Sequence, residues 1–101
     1  MATTPAVLFR GAATTTTSTT LYTVPSSTTT IVTEIMVANT TSTPASFTIS
    51  LNGTAIATGT TVGANDTTII PCKQVIVATN TITGGASATS VNFSISGVQI
   101  V

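Results

Sequence analysis

Ser46-Phe47-Thr48-Ile49-Ser50-Leu51 runs into Asn52-Gly53 and then into Thr54-Ala55-Ile56-Ala57-Thr58. In the first six residues every second side chain is apolar. Phe47, Ile49 and Leu51 therefore share one face of an extended strand, and three hydroxyl residues share the other. Asn-Gly tolerates the positive φ angles of a two-residue type I′ turn, which sends the chain back antiparallel. The segment reads as a β-hairpin with one buried face.

The same chemistry continues upstream. Thr28 to Asn39 alternates as a long strand, with Ile31, Thr33, Ile35 and Val37 on one side and Val32, Glu34, Met36 and Ala38 on the other. The first set is expected to meet the core. The second, apart from Glu34, is expected to pack on a neighbouring subunit or under a loop, which makes Val32 and Met36 candidate contact residues. Leu21 to Val24 is a shorter strand closed by Pro25, whose missing N–H suits a strand end.

Downstream, Gly63-Ala64-Asn65-Asp66 is a turn into a strand over Thr67 to Ile70, which Pro71 interrupts. Gln74 to Ala78, a turn at Thr79-Asn80, a short strand over Thr81 to Thr83 and a Gly84-Gly85 loop follow. The last strand opens near Ser90 with Val91, Phe93 and Ile95 on one face. Val98 and Ile100 then change parity, and a bulge at Gly97 would return them to the core side. Strong helix formers are scarce and β-branched residues dominate. The prediction is an all-β antiparallel sandwich, jelly-roll or Ig-like, of about seven or eight strands. Its expected core is Ile31, Ile35, Val37, Phe47, Ile49, Leu51, Val91, Phe93 and Ile95.

The beginning of the chain differs. Val7-Leu8-Phe9 is a short apolar patch, and Ala12 to Thr20 is almost entirely Thr, a uniform polar run with no core of its own. Residues 1–18 are expected to be an extended N-terminal arm on a sandwich domain of residues 19–101. The arm is expected to be mobile in the isolated chain and to dock on a neighbouring subunit or a shell protein by strand addition, anchored by Val7, Leu8 and Phe9. The alternative is an arm folded back on its own sandwich as an extra strand.

Composition narrows the function. A chain of 101 residues makes one domain. Only Arg10, Glu34, Asp66 and Lys73 are charged, with a formal net charge of zero, whereas about a quarter of an ordinary soluble domain is charged. A neutral chain with little charge tends to associate, so a homo-oligomer, a trimer, is expected. Two basic residues give no electrostatic footprint for nucleic acid. The apolar runs are too short for a membrane-spanning helix, and the first residues lack the basic-then-apolar order of a leader, so a soluble, unprocessed chain is expected. The one cysteine, Cys72, has no intrachain partner and reads as a small half-buried thiol.

With no histidine, Ser-His-Asp and Cys-His catalysis and the common zinc sites are excluded. Glu34 and Asp66 could serve glycoside hydrolysis only within roughly 5 to 10 Å of each other. Asp66 beside Asn65 reads more simply as a turn residue bonding its own backbone, and Lys73 has no positioned nucleophile beside it. The N-x-S/T patterns at Asn39, Asn52, Asn65 and Asn92 are expected by chance in a chain that is roughly a quarter Thr. No Trp, one Tyr and three Phe offer few aromatic platforms for a glycan. The Thr-x-Thr spacings lack the fixed period of an ice-binding solenoid. The chain is expected not to be an enzyme and to use no cofactor and no metal.

Leu21-Tyr22-Thr23-Val24-Pro25, followed by Thr30 to Thr40, resembles a pattern of tailed-bacteriophage virion proteins: an LYTVP strand, a short polar turn, then an alternating strand ending in Asn-Thr. The likeness continues through Phe47 to Thr54, Asn65-Asp66-Thr67 and Val91 to Val98, about four fifths of the chain. Such proteins are β-sandwiches of the head decoration, cement or fibre type, often trimers. The resemblance implies a virion protein made in the host cytoplasm and placed on the outer surface of the capsid. Its implied partner is the major capsid protein or another virion protein, and it implies a role in stabilising the head shell. A neck, tail or fibre module and a receptor- or glycan-binding module are the alternatives. The Thr-rich arm and Pro71-Cys72-Lys73 do not map onto the pattern.

Overall fold

A computed structural model describes residues 3–101. It contains β1 (Thr3–Ala12), β2 (Thr20–Thr23), β3 (Thr29–Asn39), β4 (Ala45–Leu51), β5 (Thr54–Val62), β6 (Thr67–Ile76), β7 (Thr81–Ala86) and β8 (Val91–Ile100). They form two four-stranded antiparallel sheets, ordered β1-β8-β3-β6 and β2-β7-β4-β5. First pairs with last, second with seventh, third with sixth, and fourth with fifth. That is one long hairpin, rolled so that successive pairs fall in alternate sheets: a jelly roll, not an Ig-like sandwich. The tip of the hairpin is Asn52-Gly53, with φ of 49° and 79°, the turn expected from the sequence.

The core lies between the sheets. Ile35, Val37, Phe47, Ile49, Leu51, Val91, Phe93 and Ile95 are all buried there, as expected. Phe47 on β4 and Phe93 on β8 meet edge to face across the two sheets, with ring centroids 6.3 Å apart and planes at 70°. Tyr22 on β2 adds a polar tie between sheets: its hydroxyl lies 3.0 Å from Thr30 Oγ1 on β3 and accepts from Gln99 Nε2 on β8 at 2.6 Å.

The expected facing of β3 is corrected in its first half. Val32 pairs with Gly97 and Glu34 with Ser96, so Thr33 is an extra residue, a bulge. The bulge turns both Thr33 and Glu34 outward and reverses the parity before it. Val32 is fully buried, while Ile31 is only half-buried. On β8 there is no change of parity at Gly97. The partners bulge instead, β3 at Thr33 and β1 at Leu8. Gly97 faces inward with its partner Val32, where a Cβ would come within 2.5 Å of the Ile31 carbonyl oxygen and 2.8 Å of Leu8 Cδ1. Val98 and Ile100 stay half-buried rather than joining the core.

In place of the free arm expected over residues 1–18, the chain takes the alternative read from the sequence, an arm folded back on its own sandwich as an extra strand. Thr3 to Ala12 is an edge strand hydrogen-bonded to β8 of the same chain, from Thr3 opposite Ile100 to Ala12 opposite Asn92. The first two residues of the expected arm lie outside the described ones. The Thr run behaves as structure too. The hydroxyls of Thr14 and Thr19 lie 2.6 Å apart, so one donates to the other, and both lie within hydrogen-bond distance of the Thr16 carbonyl, at 3.1 and 2.9 Å. The carbonyls of Thr14 and Thr19 accept from Ala86 N and Gly84 N, each at 2.9 Å. The run thus extends the edge of β7 beyond β2. Gly84-Gly85, expected as a loop, lies inside β7, where the missing Cβ of Gly85 leaves room for the Thr16 carbonyl. Pro71, expected to break a strand, is tolerated within β6 because β6 is a sheet edge.

Asn39 closes one end of the roll and is 3% exposed. Its Nδ2 donates to Thr43 O at 2.7 Å and Gly63 O at 3.3 Å, while its Oδ1 accepts from Thr41 N at 3.2 Å and Thr41 Oγ1 at 3.0 Å. These bonds tie the β3–β4 loop to the β5–β6 turn. Replacing Asn39 by Ala strands two carbonyls, and the expected loss is about 2 kcal/mol. Chemical denaturation checks it: a loss within a few tenths of a kcal/mol would mean that water replaces the amide without penalty.

Candidate functional site

Among the described residues no group of three or more His, Cys, Asp or Glu side chains gathers where it could hold a metal. The two acids are not brought together. Asp66 stands in the turn before β6, its carbonyl accepting from Asn39 N and its Oδ1 from Thr67 N at 2.8 Å. Glu34 sits five residues back along β3, which at the rise of an extended strand is about 17 Å, beyond the span glycoside hydrolysis requires. Cys72 is half-buried on β6, with Sγ 3.6 Å from the Val32 carbonyl. Burial pushes its pKa up, which makes it a poor nucleophile at neutral pH.

What the fold assembles is a surface. In antiparallel sheets, paired residues point to the same side, so the register fixes which side chains form rows on the outer face. On the β1-β8-β3-β6 sheet, one row is Pro5, Val98, Ile31 and Val75, apolar across all four strands. The row nearer the opposite end of the sheet is Arg10, Ser94, Met36 and Ile69. Between them lie Val7, Ser96, Glu34 and Pro71. Val7, Ile69 and Val75 are 55%, 51% and 60% exposed. The small Ser94 and Ser96 leave shallow depressions along β8. One, of about 290 Å³, is lined by Arg10, Met36, Ala38, Asn92 and Ser94.

The other outer face is different in kind. Its paired positions are Thr20 with Thr83, Thr83 with Ser50, Ser50 with Ala55, and Ser46 with Thr61. Hydroxyls are readily solvated, so this sheet needs no cover. All four aromatic residues are accounted for inside: Phe47 and Phe93 are buried, and Phe9 and Tyr22 are half-buried against the core. None stands out as a stacking platform.

The contact residues expected from the sequence divide. Val7 and Met36 lie on the apolar outer face. Leu8, 7% exposed, and Val32, fully buried, are core residues. Phe9 is half-buried and packs against the core. In each case a bulge is the cause: at Leu8 it turns Leu8 and Phe9 inward together, and at Thr33 it turns Val32 inward. Ile69 and Val75 were missed, because their facing depends on which strand β6 pairs with.

No protein-family model matches the chain, and no curated protein matches it. Among solved structures it is similar to a pentameric capsid protein isolated from metagenomic phage sequences. The TM-score is 0.43 and the identity 16%, over 95% of this chain and 59% of that one. The chain thus spans little more than half of that protein's length.

Proposed function

We propose that this chain is a structural protein of a virion, a capsid decoration or cement protein that binds the outer surface of the head and stabilises the shell. The observation that carries the reading is the contrast between its two outer faces. A jelly roll serves capsids, lectins and cupins alike. A lectin needs exposed polar or aromatic recognition groups, and a cupin needs a ligand cluster. Here the aromatics are spent on the core, and the open face is a largely apolar sheet, its Arg10 and Glu34 offsetting each other, suited to being covered by protein. The chain works by packing, without catalysis and without a cofactor, in a homo-oligomer. The trimer expected from the sequence loses one of its two contact residues with Val32 in the core, while Met36 keeps its place on the open face.

Copy number and shell stability test the reading together. In purified particles of the virus that encodes it, quantitative mass spectrometry is expected to find many copies per head. Particles stripped of the protein are expected to release their genome at lower temperature, and adding the protein back is expected to restore the original value. Only a few copies per particle would assign it to the neck, tail or fibres instead. Its absence from particles would end the virion reading.

A further inference from the structure

We infer that the outer face of the β1-β8-β3-β6 sheet is a self-association surface on which a second copy of the same chain packs face to face, across a two-fold axis lying in the plane of the contact. The inference rests on the same face that carries the virion reading, and sedimentation of the isolated chain tests it separately from incorporation into particles.

The edges of the sheets offer no comparable route. Open strand edges are the usual sites of pairing between chains, and proteins blunt them with proline, charge, bulges or short strands. Each of the four edges here carries such a device. β1 has Pro5, Arg10 and the bulge at Leu8, and β6 has Pro71 and Lys73. β5 shifts register twice against β4, and its Gly59 N–H is taken by Thr48 Oγ1 at 3.1 Å. β2 is four residues long. Protection of the edges beside an uncovered apolar face means that association runs through the face.

Among the described residues, three of the six large exposed apolar side chains lie on that face, Val7, Ile69 and Val75; Ile56 lies on β5, and Val77 and Val101 lie just past the ends of β6 and β8. The area suits a pair of copies. Strands of ten or eleven residues are about 33 Å long, and four of them side by side are about 19 Å wide. The face is therefore about 600 Å² per copy, and two copies bury about 1,200 Å², the lower end of stable, specific interfaces. A face that meets its own copy does so through a two-fold, which gives two copies and not three.

Charge favours a like partner. Arg10 and Glu34 both lie on this face and cancel, with Lys73 on its rim, so two identical faces meet without strong repulsion. A nucleic acid or an anionic lipid surface would find no excess of cations there.

The test uses the full chain in sedimentation velocity and equilibrium. A reversible monomer–dimer equilibrium is expected for the unaltered protein. Ile69→Lys and Val75→Lys, at exposed positions, are each expected to weaken it about ten- to a hundredfold, with far-UV circular dichroism unchanged. Charge reversal identifies the partner as a second copy. Glu34→Arg leaves only cations on the face and its rim, and its dimer is expected to weaken. The double variant Arg10→Glu/Glu34→Arg is expected to recover it. A monomer at every concentration would overturn the inference. So would a trimer, a dimer indifferent to Ile69→Lys and Val75→Lys, or a double variant no tighter than Glu34→Arg.

Discussion

Phe93→Ala is expected to lower the stability of the domain by about 3 to 5 kcal/mol, out of the 5 to 15 or so that a domain of this kind has to lose. Phe93 is 1% exposed and stands at the middle of the contact between the sheets, its ring against Phe47. Removing it loses the transfer free energy of the ring. It also leaves a cavity that two hydrogen-bonded sheets cannot collapse to fill, since their separation is held by the side chains that remain. Urea unfolding reads the effect as a lower midpoint at an unchanged slope. Phe93→Leu, which keeps most of the volume, is expected to cost less than half as much. With Phe47→Ala as the second corner of a double-mutant cycle, the edge-to-face contact itself is expected to contribute about 0.5 to 1.5 kcal/mol of coupling. An unmoved midpoint in Phe93→Ala would remove the ring from the core.

The rings were legible in the sequence because β4 and the first half of β8 alternate without interruption, and the bulges against them lie in their partner strands, which leaves their own parity unchanged. Asn52-Gly53 was legible for a local reason, since few other residue pairs accept two positive φ angles in succession. The first half of β3 was misread because a bulge reverses parity without changing the average composition. Its sign is nonetheless present in the chain: Thr33-Glu34, two adjacent polar residues inside an apolar strand, is what a strand with one extra outward residue looks like. Leu8-Phe9 is the inward counterpart, two adjacent inward residues, but it is hidden in the unbroken apolar run Ala6-Val7-Leu8-Phe9.

The open face was beyond reach for a different reason. Val75 and Ile31 are 44 positions apart in the chain, and Pro5 and Val98 are 93 apart. What puts them in one row is the order β1-β8-β3-β6, which the jelly roll fixes and no local pattern records. Periodicity tells which residues of one strand share a side. It does not tell which strands lie next to one another, and a surface is made of neighbours. The N-terminal strand fails on both counts, because its Thr-rich sequel carries no periodicity and its pairing partner is the last strand of the chain.

The Thr run shows what such a segment can do, and Gly85→Ala tests it. A Cβ at Gly85 would collide with the Thr16 carbonyl oxygen and lie 2.7 Å from the Thr16 carbonyl carbon and 2.9 Å from Thr14 O. These are backbone atoms, so no side-chain rotation relieves the clash, and the whole Thr14 to Thr19 segment must lift. Lifting it breaks the bonds from Ala86 N to Thr14 O and from Gly84 N to Thr19 O. Overpacking of this kind costs about 1 to 3 kcal/mol, and two lost backbone bonds add about 1 kcal/mol each, so the expected loss is about 3 to 5 kcal/mol. Gly11→Ala is the control, because a Cβ there meets nothing nearer than Phe9 Cζ at 3.5 Å, an ordinary contact. Hydrogen exchange separates local release from general weakening. The Gly84 and Ala86 amides are expected to lose protection well beyond the global change, while the amides of β3 and β8 follow the global stability alone. Equal loss of protection across all strands would mean that the Thr run does not cover β7, and that the glycines are there for some other reason.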